Sequence, residues 1–415
     1  MIFIATATAL TPLSFRLGRE AKETDTLKYI PGTALLASLI NAHQRLGRSE
    51  EELARFLFHE ATVIGNLYPA SWPKSTNENF NGRLSQLTAN DLPIYPLPTT
   101  ARSCKRFKGF LFDAEKPHDH HGVSDSLMDW TVFELSGHKN TVLLEGHKYC
   151  PHLLGTNNPC KEVMDNLDGF YRRGYEADEW GKPDVKSMLR MHTGINRATG
   201  TVQNEILYAR SALAEESDFW GTIQVADEVA AEFQKFVEQA NELLRVGNNR
   251  TRGLGKIHLN LSKQNTADTP ESLAERIKAF SAQLRQVVGN EAKHALYLPI
   301  TLTSDAILVD HLLRHSPTLS PTALGIEAEL IYSNAPTRRI MGWNNIFQMP
   351  KADELAIGMG AVFLFGLQTE LNEALLQRLL TWQSQGIGLR RREGFGQLLV
   401  ASPFHIDCGT NNQMR

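Results

Sequence analysis

One short pattern occurs twice in this chain, and the two copies limit what it can fold into. The first reads Gly247-Asn-Asn-Arg250-Thr-Arg252-Gly253-Leu-Gly255-Lys256 and runs into the alternating stretch Ile257-His258-Leu259. The second reads Gly388-Leu-Arg390-Arg391-Arg392-Glu393-Gly394-Phe-Gly396-Gln397 and runs into Leu398-Leu-Val400. Laying Gly253 on Gly394 also brings Gly247 onto Gly388, Arg250 onto Arg391 and Gly255 onto Gly396. Each copy follows a strand-like apolar run, Phe219–Val225 or Ala361–Gly366, and then a helical one. A repeated order of strand, helix, basic glycine loop and strand implies two related domains. Basic glycine loops imply phosphate backbones: glycine lets main-chain amides approach an anion, and guanidinium groups grip it in bidentate fashion. The plainer reading is a pair of tight helix-to-strand turns with solvated arginines, and the duplication weighs against it.

Length and charge bound the alternatives. At 415 residues there is room for two or three domains with sizeable cores. The formal net charge is -3, so nucleic-acid binding would rest on local basic patches rather than on the molecule as a whole. The N-terminal Met1–Leu10 lacks a basic leader and alternates like a first strand, so a signal peptide is not expected. No run approaches the roughly 18 apolar residues of a membrane helix, so no membrane partner is expected. Four cysteines in a chain of this length do not make a disulfide framework, which points to the cytoplasm.

The pattern of elements is α+β, with a βαββαβ repeat suiting both halves. The first domain spans 1–262, with irregular insertions at about 69–130 and 146–185. A connecting helix fills 263–291 on the spacing of Leu273, Ile277, Phe280 and Leu284, a second domain spans 292–405, and 406–415 is a polar tail, with fraying expected from Ser402 onward. Thr33 is placed to N-cap a helix over Ala34–Leu46, and residues 131–145 read as a strand from Val132, Leu135, Val142 and Leu144.

Three further groupings carry chemistry. Arg190, His192, Asn196, Arg197, Thr199 and Thr201 lie just ahead of a strand holding Tyr208, a composition suited to a loop or hairpin along an RNA backbone. Guanidinium and hydroxyl groups would contact phosphate and 2′-OH there, with His192 or Tyr208 stacking on a base; an ordinary polar turn is the alternative. Cys104, Cys150 and Cys160 lie in the insertions, with histidines between them. Three thiolates and one imidazole, His121 foremost, would make a closed structural zinc site, although no Cys-x-x-Cys pair is present and buried free thiols would read the same way. No Walker A motif and no Gly-x-Gly-x-x-Gly after a strand occur, so no nucleotide cofactor is expected. For catalysis only weak candidates exist: Asp25, ahead of Ile30-Pro31-Gly32, for metal-dependent RNA cleavage, and His192 as a general base without a partner.

Taken in order, these pieces resemble the RAMP superfamily of CRISPR effector proteins. The resemblance rests on a first strand leading to Tyr29-Ile30-Pro31-Gly32-Thr33, on Ile195-Asn196-Arg197-Ala-Thr199-Gly200-Thr201 with the Leu207-Tyr208 strand, and on the twin endings Gly253-Leu-Gly255 and Gly394-Phe-Gly396. The chain departs from the family pattern where Leu36-Ala37 replace an arginine and glycine. The length, the Cys104-Lys105 and His121–Asp125 insertion and the Arg391–Gly396 ending resemble the RAMP subunit of type III-D complexes. The resemblance implies two ferredoxin-like (RRM-like) domains in a multi-subunit, RNA-guided complex. One subunit of this type grips the repeat-derived 5′ tag of the guide RNA (crRNA). Its partners would be crRNA and the target RNA duplex, other RAMP backbone subunits and the large polymerase-like subunit. A binding role without catalysis is the expectation. An endoribonuclease using Asp25 or His192, and a scaffold that binds no RNA, are the rivals.

Overall fold

A computed structural model describes residues 1–15, 26–70, 93–111, 120–154, 158–173, 180–195, 202–264, 268–344 and 349–409. The protein is α+β and divides into two compact units. The first comprises Met1–Ser71, Asp184–Gln264 and Met341–Ala352; the second comprises Trp72–Pro183, Asn265–Ile340 and Asp353–Arg415.

In the first unit, β1 (Ile2–Ala9) leads to helix α1 (Gly32–Arg45), helix α2 (Glu50–Leu57) and the short strand β2 (Val63–Ile64). A long hairpin of β3 (Ser187–Ile195) and β4 (Val202–Leu213) precedes β5 (Asp218–Gln224), helix α3 (Ala230–Ala240) and β6 (Ile257–Lys263). The antiparallel sheet runs β6-β1-β5-β2, with β1 central. Alternation places Phe3, Ala5, Ala7 and Ala9 of β1 in the core. These alanines leave room for Phe233 and Phe236 of α3, whose rings lie 5.8 Å from that of Phe56. Helix α1 does not take its cap from Thr33. Pro31 occupies the cap position without a side-chain bond, and Asn66 Oδ1 accepts the Gly32 N–H at 2.9 Å instead.

The second unit contains helix α4 (Pro270–Val288), β7 (Leu296–Leu302), β8 (Ala328–Asn334), β9 (Val362–Leu367), helix α5 (Glu373–Gln385) and β10 (Leu398–Val400). Its antiparallel sheet runs β8-β9-β7-β10. A fifth short strand, Tyr68–Pro69, also pairs with β5 of the first sheet; with the four strands of each path numbered among themselves in chain order, both paths read 4-1-3-2. Every residue of β7 is buried, which requires cover on both faces. Leu298, Ile300 and Leu302 face one core with Phe363 and Leu379. Tyr297 faces another, with Phe280 and Leu284 of α4 and with Leu127, Met128 and Val132.

Those last residues belong to a helix over Leu127–Leu135, and Val142–Gly146 is a second short helix, where the sequence reads as a strand. Residues 72–183, which hold most of the two insertions expected in the first domain (about 69–130 and 146–185), belong to the second unit, whose sheet this helix covers. The chain past Ser402 is also packed. Ser402 caps a helix over Pro403–Asp407, and Phe404, His405 and Cys408 are fully buried. His405 Nδ1 lies 2.6 Å from Asp125 and its Nε2 lies 2.7 Å from Thr301 Oγ1, which pins this end to β7.

Candidate nucleic-acid interface

The two glycine loops have the same backbone. Gly247 and Gly388 have φ of 77° and 76°. Asn249 (φ 59°, ψ 26°) and Arg390 (φ 57°, ψ 28°) are left-handed, each opens a single 3-10 turn, and Gly253 (φ 82°, ψ 9°) and Gly394 (φ 85°, ψ 11°) close it. Hydrogen bonds repeat in the same register. Val246 N–H donates to Gly255 O at 2.8 Å, and Ile387 N–H donates to Gly396 O at 2.9 Å. Gly255 N–H reaches Pro12 O and Gly396 N–H reaches Asp305 O, so each loop crosses the segment that follows the central strand of its own sheet. A Cβ on Gly255 would collide with the Val246 carbonyl, and one on Gly396 with the equivalent Ile387 carbonyl. Glycine is therefore imposed at both positions by close approach as well as by positive φ.

The side chains on this shared backbone are wired differently. In the first loop Asn249 Oδ1 accepts a 2.9 Å hydrogen bond from Arg210 of β4, and Lys256 pairs with Glu242 at 2.8 Å. In the second, Arg390 bonds Glu393 at 2.6 Å and Glu354 at 2.5 Å, and its guanidinium lies 4.7 Å from the Phe395 ring centre. Burial alone would lower the Arg390 pKa, but Glu393 and Glu354 outweigh it and hold the pKa above its ordinary value. Arg250 and Arg391, one residue further on in each loop, are exposed and have no ion pair among the described residues. Arg252 is exposed and Arg392 is half-buried. Of the predicted loop cations, Lys256 and Arg390 are thus tied to carboxylates, and Arg250 and Arg391 face solvent.

The third predicted grouping forms the β3–β4 hairpin. Arg190 pairs in register with Arg210, and His192 with Tyr208, so these four positions alternate onto one face. Arg210 went unnoticed in the sequence, although its place two residues past Tyr208 on a strand marks it for that face. The side chains of His192 and Tyr208 lie outside the described residues, as do Asn196, Arg197, Thr199, Thr201 and Asp25 altogether.

The predicted metal ligands do converge. The ligand atoms of Cys104, His121, Cys150 and Cys160 all lie within 4.8 Å of one another. Cys104, His121 and Cys150 are buried, and the Cys104 and Cys160 sulfurs are 4.0 Å apart, without a disulfide. Burial pushes the Cys150 thiol up to about 12. Among the described residues no helix is long and apolar enough to cross a membrane.

The family model described as "RAMPs: RAMP superfamily" matches residues 6–258. No curated protein matches the sequence. A chain of a solved structure described as type III-B Cmr-beta bound to cognate target RNA aligns at 10% identity and a TM-score of 0.40, covering 95% of this chain and 96% of that one. A chain of the same complex with target RNA and AMPPnP aligns at 12% identity and a TM-score of 0.38, covering 95% and 96%.

Proposed function

The chain belongs to the RAMP superfamily, and on that premise we propose that it is a guide-RNA-binding subunit of a type III CRISPR effector complex. In this reading it grips the repeat-derived 5′ tag beside the large polymerase-like subunit and does not cut RNA. Both units are then ferredoxin-like βαββαβ domains, a reading supported by their common strand order of 4-1-3-2. The observation that carries the proposal is the recurrence of one loop backbone in two units, with an exposed arginine, Arg250 or Arg391, at the same position in each. An ordinary turn needs the glycines and has no need of the cation.

Phosphates of the guide would meet Arg250 and Arg391 at the loops and the Arg190 and Arg210 face of the hairpin. Lys256 and Arg390 would act indirectly, holding the loop shape through their carboxylates. With one exposed arginine at each loop and a net charge of -3, affinity for free RNA should be modest and strongly salt-dependent. The test is to purify the chain from cells carrying its neighbouring genes, crosslink, and sequence the bound RNA. Crosslinks from 190–208 and from both loops, clustered on the 5′ tag, are expected. Crosslinks spread along the spacer would move the protein to a backbone position. Recovery of no RNA would overturn the reading in favour of a scaffold.

A further inference from the structure

We propose that Cys104, His121, Cys150 and Cys160 form a closed structural zinc site that holds together a part of the second unit with almost no apolar core. The four ligands come from three separate stretches. Cys104 ends a strand over Ala101–Cys104, and His121 precedes a strand over Val123–Asp125. Cys150 and Cys160 flank the small hairpin of Leu153–Leu154 and Asn158–Pro159. Main-chain bonds bring the last pair together: Cys150 N–H donates to Glu162 O at 2.7 Å, and Cys160 N–H donates to His152 O at 2.8 Å.

The spacing of the donors fits a tetrahedral ion. With Zn–S bonds of about 2.3 Å, sulfurs on a tetrahedron are about 3.8 Å apart. Cys104 and Cys160 Sγ are 4.0 Å apart, and Cys150 Sγ is 3.5 Å from His121 Nδ1. A disulfide would need about 2.05 Å. The imidazole is stacked against Phe107 and His152, each ring centre 4.2 Å away, which restrains the plane of the ring beside Cys150. Four protein donors leave no open position, so the ion would be structural rather than catalytic.

What surrounds the cluster shows why it is needed. Among the described residues, apolar packing here consists of the cysteines themselves, Met164 and Phe107, while Tyr149, Leu153 and Val163 are 48%, 57% and 45% exposed. Thiols and imidazole therefore occupy the interior where aliphatic side chains would normally sit. A stretch built this way gains its stability from metal binding. Loading forms three Zn–S bonds and one Zn–N bond and releases three thiol protons to solvent. The resulting centre carries a net charge of -1, beside the exposed Lys105, Arg106, Lys148 and Lys161.

The test is elemental analysis of the untagged full chain. About one zinc per chain should survive gel filtration, and Cys408→Ser should keep it. Cys160→Ser should lose it. Should that variant fail to fold, cobalt(II) exchanged into the unaltered protein gives a second readout. The strong visible bands of a tetrahedral thiolate site support the proposal, and a pale six-coordinate spectrum overturns it. Metal-free protein with four titratable thiols, or a Cys104–Cys160 disulfide in the native protein, would overturn it equally. None of these outcomes depends on RNA binding, so this inference and the functional reading fail separately.

Discussion

The two glycine loops are copies in backbone and not in side chains. Both run from a left-handed residue through a 3-10 turn to a left-handed glycine, and both cross the chain just past the central strand of their own sheet. In the first loop the left-handed residue is Asn249, held by Arg210; in the second it is Arg390, held by Glu354 and Glu393. Polarity is thus inverted at one position: an acceptor anchored by a cation in one unit, a cation anchored by acceptors in the other. The geometry was retained while its fastening changed, which indicates that the fold needs the loop shape itself. The arginine that follows, exposed in both copies, has no such structural reason to be there.

The largest effect should come from testing that shape. Ala at Gly396 or Gly255 sets a Cβ against a carbonyl at positive φ, and should destabilise its unit by roughly 4 kcal/mol or more. Gly253→Ala meets nothing within 4 Å, so it should cost only the left-handed strain of about 1–2 kcal/mol. Urea denaturation followed by circular dichroism would rank the three. Equal losses at Gly253 and Gly255 would mean that close packing is not what demands glycine.

Next come the fastenings. Glu354→Gln removes one carboxylate from a largely buried Arg390 and should cost about 1–2 kcal/mol. Arg210→Ala removes a hydrogen bond to a neutral side chain at the matching place, and should cost about 0.5–1.5 kcal/mol. Were Arg210→Ala the more damaging, the hairpin rather than the loop would be what Arg210 stabilises.

Much of this was legible in the sequence, for identifiable reasons. Loop positions that only glycine can occupy leave a mark at fixed spacing, so the duplication was visible before any contact was known. Cysteine and histidine are rare enough that Cys104, His121, Cys150 and Cys160 could be grouped without a Cys-x-x-Cys pair. The helix at Leu127–Leu135 was misread because a segment with apolar residues all round shows no clear helical period. The C-terminal segment looked polar because its buried groups are few: Phe404 and His405 in a helix of five residues, and Cys408 just past its end. The locking of Arg390 could be read only in part: Glu393 is 3 positions away, but Glu354 lies 36 positions away on a strand that tertiary folding alone brings to the loop.

The smallest effect on stability, and the sharpest on function, belongs to the two exposed arginines. Arg250→Ala and Arg391→Ala break no ion pair among the described residues, so each should change unfolding stability by less than about 0.5 kcal/mol. If each arginine meets one phosphate of single-stranded RNA, each substitution should reduce the slope of log affinity against log salt by about 0.7, and the double variant by about twice that. Filter binding of a 5′-tag oligonucleotide across a salt series would measure both. Equal slope changes would make the repeat functional in both units. A change at Arg250 alone would mean that the second loop kept its form, locked by Glu354 and Glu393, after its contact with the guide was lost.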